Sequence, residues 1–408
     1  MNRKLETARY VEFLVVERSS FLFNEETQKL YALNPHAAYI WTCLDDDLSL
    51  PDTAELVARD LEVSSSEAHA HVGQMVKQWT ERRMLIGDDD PGASAPRPQR
   101  PTPTPDITGE PFERSDGLRF HATRVFQILS QRFEVRFASA EAEGSVMEIL
   151  RHLYRTNTRA PTSTIDLIAE PKGTAIVVGS TCIAHCRSPD EVAPALKALM
   201  TTMTIEAEPY ALAFHAAAVS TGQNTLLMPA VAGSGKSTLT AALLHAGFQY
   251  LSDDIVLLDQ PSHRVRGFPL PICIKEAGTD ALRSLYPELG SKPVHLRFDD
   301  ARVRYLIPPP ASWTPHAASE THEVKWIVFP HYDPDRETAL EPIDSGEALT
   351  RLLPQTAAGV FLKKDDVSAL ADWIKELDCY ELRIASLSSA IEALYSLDRF
   401  APDANIQA

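Results

Sequence analysis

Residues 230–237 read Ala-Val-Ala-Gly-Ser-Gly-Lys-Ser, after the apolar run Thr225-Leu226-Leu227-Met228 and before an amphipathic stretch from Thr238 to His245. Strand, glycine loop and helix in that order let backbone amides and a helix N-terminus cradle phosphate. Ala230, Gly233, Ser234, Gly235, Lys236, Ser237 and Thr238 are therefore predicted to bind a nucleoside triphosphate. Lys236 reaches the β- and γ-phosphates and supports their transfer, and the Ser237 hydroxyl ligates Mg²⁺. ATP and Mg²⁺ are the expected cofactors. Ala230 stands where such loops often carry their first glycine, and alanine is small enough for that turn.

Phosphoryl transfer needs in addition an acceptor hydroxyl held in line. Gly247 through Asp254 follow the loop by one helix and one short strand, a distance that returns Asp253 and Asp254 to the phosphates. His215 lies on the preceding strand. Asp253 is the expected base or orienting group, with His215 hydrogen-bonded to it. Asp254 is the expected Mg²⁺ ligand beside Ser237. Sequence does not orient two adjacent carboxylates, so the exchanged assignment stays open. Lys275 ends an apolar strand, where it either neutralises substrate charge or is solvated. Arg297, Arg302 and Arg304 around Asp299-Asp300 read as a solvated hairpin face. Cys182-Ile183-Ala184-His185-Cys186 is irregular for zinc and reads as buried strand.

The elements that must position these groups fall into three stretches. Residues 1–90 show a hairpin pattern, Phe21–Phe23 and Lys29–Leu33 about a polar turn. Asn34-Pro35 opens a helix, a second fits Asp52 to Leu61, and Ser64 to Glu67 has capping-box spacing before a third. Met84-Leu85-Ile86 closes the stretch as a strand, so the expected module is a winged helix. Residues 91–115, rich in Pro, Ser and Thr, read as a semi-rigid linker. Residues 116–400 are predicted to form one α/β unit around the glycine loop. Its strands are expected near 134–137, 165–168, 175–178, 255–258, 272–274, 303–307, 324–329 and 380–384. Its helices are expected near 191–201, 366–377 and 388–395.

Two resemblances follow from these residues. The run from Phe21 through Tyr31-Ala32-Leu33-Asn34 and Ile40-Trp41 to Met84-Leu85-Ile86-Gly87 resembles a PqqD-like domain. That family binds leader segments of ribosomally made precursor peptides, so the resemblance implies strand addition of a leader to an exposed hairpin edge. Phe214-His215-Ala216, the glycine loop and Gly247 to Asp254 resemble the catalytic core of the HPr kinase/phosphorylase superfamily, which is related to phosphoenolpyruvate carboxykinase. The glutamate-arginine-glycine signature of true members is missing; the corresponding stretch, Arg266 to Lys275, reads differently, which argues against HPr as substrate. Lasso-peptide tailoring kinases also resemble this domain. The resemblance implies a P-loop kinase fold and a homo-oligomer, a hexamer in that superfamily.

Composition limits the rest. The 408 residues carry a formal net charge of −17 and 44% hydrophobic residues, which supports packed domains and disfavours bulk nucleic-acid or anionic-membrane binding. Five scattered cysteines fit a reducing, cytoplasmic setting. No apolar run approaches the ~18 residues of a membrane span. The expected function is an ATP-dependent kinase that phosphorylates a Ser or Thr hydroxyl of a precursor peptide whose leader is held by residues 1–90. The alternatives are a kinase for a small metabolite or amino acid, and a nucleotide-switched peptide carrier without transferase activity.

Overall fold

Alternating apolar residues in Val11–Val16, Ser19–Asn24 and Lys29–Leu33 build a three-stranded antiparallel sheet in which Phe13, Leu22 and Tyr31 lie side by side. The computed structural model describes residues 5–87, 109–114, 117–156, 159–221, 224–231, 233–259, 262–310, 312, 320–357 and 361–397. Most of the predicted linker, 91–108, therefore lies outside the described residues. The chain divides into two units. One holds the N-terminal residues with 343–354 and 359–378; the other holds the remainder.

In the first unit, sequence signals translate directly into helices. The Asn34 side chain accepts the Ala37 amide at 2.8 Å and Pro35 opens the helix Pro35–Asp45. Ser64 and Glu67 form a reciprocal capping box on Ser65–Glu81. Between them lies the helix Leu50–Asp60. These helices bury Trp41 and Trp79 edge to face, with centroids 5.2 Å apart, in a core that also takes Leu22, Ile40, Val57 and Val72. A short strand pair, Leu5–Thr7 with Leu85–Gly87, ties the ends of this region together.

Two helices from far along the chain complete that unit, Ser345–Leu352 and Lys364–Lys375. The sequence places them in the 116–400 stretch, yet their contacts are with the N-terminal sheet. The Gln28 side chain donates to the Leu362 carbonyl and accepts from the Leu362 amide, both at 2.8 Å. The Lys364 amide donates to Glu25 at 3.2 Å, Ser368 to Glu12 at 3.3 Å and Ser345 to Glu17 at 2.8 Å. Helix Lys364–Lys375 packs on strand Val11–Val16. Sequence periodicity finds such a helix but not what it covers.

The second unit is mixed α/β and contains two large sheets. A seven-stranded sheet has the order Glu110–Pro111, Thr181–Cys186, Gly173–Val178, Ser163–Glu170, Gln131–Phe137, Ala122–Ile128, Tyr154–Arg155. Helices Ala140–Leu150 and Pro189–Ala207 pack against it and against each other. In the nine-stranded sheet, Leu212–Ser220 pairs with Thr225–Pro229 on one side and with Gln249–Ser252 and Ile255–Leu258 on the other. Thr225–Pro229 then runs parallel to Val324–Tyr332. Ala216, Ala217 and Ala218 on Leu212–Ser220 are fully buried. Leu226 and Met228 next to them pack with Leu239, Ala242 and Leu243 of helix Lys236–His245. A small sheet of Ile272–Lys275, Arg302–Leu306 and His295–Leu296 lies in the same unit. No helix among the described residues is long and apolar enough to cross a membrane.

Candidate active site

Strand Thr225–Pro229 ends at Ala230, and the chain reaches helix Lys236–His245 through two glycines with left-handed backbone, Gly233 at φ +92° and Gly235 at φ +89°. Any side chain at Gly235 would be strained there, because only glycine adopts that region without cost. Gly235 is also the N-cap and supplies no side-chain cap, so the first-turn amides of the helix have no capping partner from it. Three buried polar atoms gather here without hydrogen-bond partners: Ser234 Oγ, Lys236 Nζ and Asp253 Oδ1. Buried polar groups are nearly always paired, and here a hydroxyl, an ammonium and a carboxylate oxygen keep hydrogen-bonding capacity unused. Burial holds the Lys236 ammonium below its ordinary pKa, an effect offset in part by Asp253 and Asp254.

The two aspartates sit at the break between strands Gln249–Ser252 and Ile255–Leu258, both of which pair with Leu212–Ser220. Ser252 Oγ spans the break and donates to the Ile255 carbonyl at 2.5 Å. The two carboxylates differ in burial and in their nearest partners. Asp253 is 5% exposed, with the Ser237 hydroxyl beside it. Burial pushes its carboxyl up to about 6, against the attraction of Lys236. The Asp254 side chain is 44% exposed, with Lys197 Nζ 3.3 Å from Oδ2 and His215 Nε2 3.4 Å from Oδ1. Burial alone would raise the Asp254 carboxyl. The charge of Lys197, then the hydrogen bond with His215 and the charge of Lys236, outweigh that and hold it well below the usual carboxylate range.

The expected hydrogen bond between His215 and Asp253 is thus not the one formed. His215 stands opposite Ile255 in the ladder, and Asp254 is the carboxylate turned to its side. Ser237, Lys236 and Asp253 form one group; His215 and Asp254 form the next. Thr238 lies against the backbone of another element: a Cβ at Gly278 would come within 2.7 Å of its Oγ1. Lys275 is exposed, opposite Val303, and among the described residues no hydrogen bond or ion pair joins its side chain to the loop or the aspartates. Arg297 leaves the hairpin face and approaches Cys273 Sγ at 3.7 Å, while also facing Asp299 at 3.2 Å. Cys273 feels both Lys197 and Asp253, so this small sheet borders the site.

Lys197 was not legible as a site residue. Its one signal is a lysine among Val192, Ala193, Leu196 and Met200 on the apolar side of helix Pro189–Ala207, where it is 8% exposed. Elsewhere, Cys182 and Cys186 are both buried, and Cys182 Sγ lies 3.3 Å from His185 Nε2. Burial raises both thiols, and no group of residues suited to hold a metal ion occurs among the described residues.

Comparison with known proteins gives one family match and a set of solved structures. Residues 20–85 match the family described as Coenzyme PQQ synthesis protein D (PqqD), so the N-terminal region is PqqD-like. None of the curated proteins matches the chain. Among solved structures, "Lasso peptide synthetase B1 complexed with the leader peptide" is 20% identical, covering 20% of this chain and 98% of that one with a TM-score of 0.20. "TbiB1 in Complex with the TbiA(beta) Leader Peptide" is 13% identical, covering 21% of this chain and 99% of that one, TM-score 0.20. The Hpr(Ser) kinase/phosphatase from Coxiella burnetii is 13% identical, covering 45% of this chain and 94% of that one, TM-score 0.22.

Proposed function

We propose that the chain is an ATP- and Mg²⁺-dependent kinase. Its second unit carries a P-loop, and its PqqD-like, winged-helix region holds the leader of a ribosomally made precursor peptide. The observation that carries the kinase reading is the meeting of Ser234 Oγ, Lys236 Nζ and Asp253 Oδ1, buried and unpaired, around a glycine loop that opens a helix. Phosphate oxygens supply acceptors for the hydroxyl and the ammonium. Mg²⁺ fits the oxygen donors Ser237 and Asp253, and when bound it neutralises charge on the transferred phosphoryl group.

The geometry favours the exchanged roles for the two carboxylates. Asp253 belongs with Ser237 on the metal side. Asp254, exposed on one flank and held by His215 on the other, accepts the hydrogen bond of the acceptor hydroxyl. As the bond from the γ-phosphorus to the ADP oxygen breaks and the bond to the acceptor oxygen forms, the hydroxyl proton passes to Asp254 and on to solvent. A loose transition state asks little basicity of that group and mainly its placement.

For the peptide, the outer edge of Lys29–Leu33 supports strand addition. Among the described residues no strand pairs with it, whereas the opposite edge strand, Val11–Val16, carries helix Lys364–Lys375. The test is the fate of label from γ-labelled ATP, with Mg²⁺, host lysate and an Asp254→Asn control. Label in a species of peptide size, absent from the control, is expected. Label in a small metabolite overturns the peptide assignment, and free phosphate released equally by both proteins overturns the transferase.

A further inference from the structure

Helix Pro189–Ala207 belongs to the seven-stranded sheet, against which its apolar residues pack. From this helix one ammonium reaches the other sheet of the same unit. Lys197 Nζ lies 3.3 Å from Asp254 Oδ2, with the lysine side chain 10% exposed and the aspartate side chain 44% exposed. Placing an ammonium on an apolar helix face is costly unless a carboxylate meets it. The other carboxylate oxygen faces His215 Nε2 at 3.4 Å. Asp254 is therefore gripped from two directions by groups on different elements, and its open flank remains toward solvent.

We infer that Lys197 is a positioning residue: it fixes the Asp254 carboxylate against His215, so that the carboxylate presents its open flank to the acceptor hydroxyl. The inference rests on the kinase reading and adds to it a residue from outside the glycine-loop sheet. Two consequences follow. The seven-stranded part of the unit is a working part of the site, because its long helix supplies one side of the grip. Moreover, Lys197 acts through Asp254 and not on the nucleotide, unlike Lys236, which lies on the loop itself.

The rival role, a second phosphate-binding lysine, makes the opposite kinetic prediction. Loss of a phosphate ligand raises the KM for ATP, whereas loss of acceptor alignment lowers kcat. The experiment uses the full chain with labelled ATP and the phosphate-accepting species, comparing wild type, Lys197→Met, Lys197→Arg, Asp254→Asn and the double variant Lys197→Met/Asp254→Asn. Expected are a kcat loss of about tenfold or more in Lys197→Met with the KM for ATP within about twofold. Lys197→Arg, which keeps the charge, recovers most of it. The double variant is no more than about twofold slower than Asp254→Asn, because residues acting as one unit are non-additive. It also lacks the buried-side charge that Lys197→Met leaves without its ammonium, so it decides the matter even where the single variant fails to fold.

Wild-type kcat in Lys197→Met overturns the inference. So does a loss confined to the KM for ATP, or an equal slowing by Lys197→Met in both backgrounds. Those results leave the kinase reading standing. No transfer by the wild type defeats the kinase reading, and the inference with it.

Discussion

Asp253 and Asp254 are neighbours that feel the same two lysines but differ in burial and in their nearest partners. One is buried beside Lys236 and Ser237, which pushes its carboxyl up to about 6; the other is half-exposed and held low by Lys197 and His215. The proposed roles follow from that difference, and substitutions separate them. Asp254→Asn is expected to cut transfer by roughly a hundredfold or more while leaving the dissociation constant for Mg²⁺-ATP nearly unchanged, as calorimetry would record. Asp253→Asn should instead raise the Mg²⁺ concentration needed for half-maximal nucleotide binding. Lys236→Ala should weaken ATP binding itself. The loop, His215 and both aspartates were legible in the sequence because a strand, a glycine loop and a helix leave a fixed order of residue types. The partner of His215 was not, because a one-residue shift at a strand break decides which carboxylate faces it. Lys197 was not legible either, since it comes from an element with no sequence proximity to the loop and no motif of its own.

Among the elements, the loop helix and the three helices of residues 1–90 were anticipated almost in full, because capping residues and glycines mark their ends locally. Gly235 gives a direct check on the loop. At φ +89° a Cβ would meet only Tyr332 Cβ at 3.6 Å, an ordinary contact, so the cost of Gly235→Ala is one of backbone conformation. It should amount to about 1–2 kcal/mol in urea unfolding, together with weaker ATP binding from the displaced amides. A second element carries a pH signature. His152 donates to the Pro269 carbonyl at 2.9 Å, and burial lowers its pKa from 6.5 to about 4. The unfolded chain binds that proton more readily, so the associated stability is complete above pH 6.5 and is lost as pH falls toward 4. The loss is at most about 3 kcal/mol, and in His152→Gln the slope of stability across that window should flatten.

Over the whole molecule, the N-terminal unit is not a contiguous stretch of sequence. Helix Lys364–Lys375 packs on its sheet and helix Ser345–Leu352 on that helix, a long-range pairing for which neither helix carries any local sign. At Gly346 an added Cβ would come within 2.7 Å of Ser19 Cβ. Gly346→Val should therefore destabilise the PqqD-like unit by about 1–3 kcal/mol, although it lies far from that unit in sequence. A fragment of residues 1–90 alone should unfold at lower urea than the same region within the full chain. If it is equally stable, the helices contribute nothing to that unit. The measurement that bears most directly on the central claim is intact mass of the phosphate-accepting peptide after incubation with the full chain and Mg²⁺-ATP, with and without its leader. The account predicts a mass increase of whole phosphate units on the leader-bearing peptide, on Ser or Thr outside the leader, and a much slower gain once the leader is removed. Equal phosphorylation of both forms, or none of either beside active ATP turnover, would contradict it.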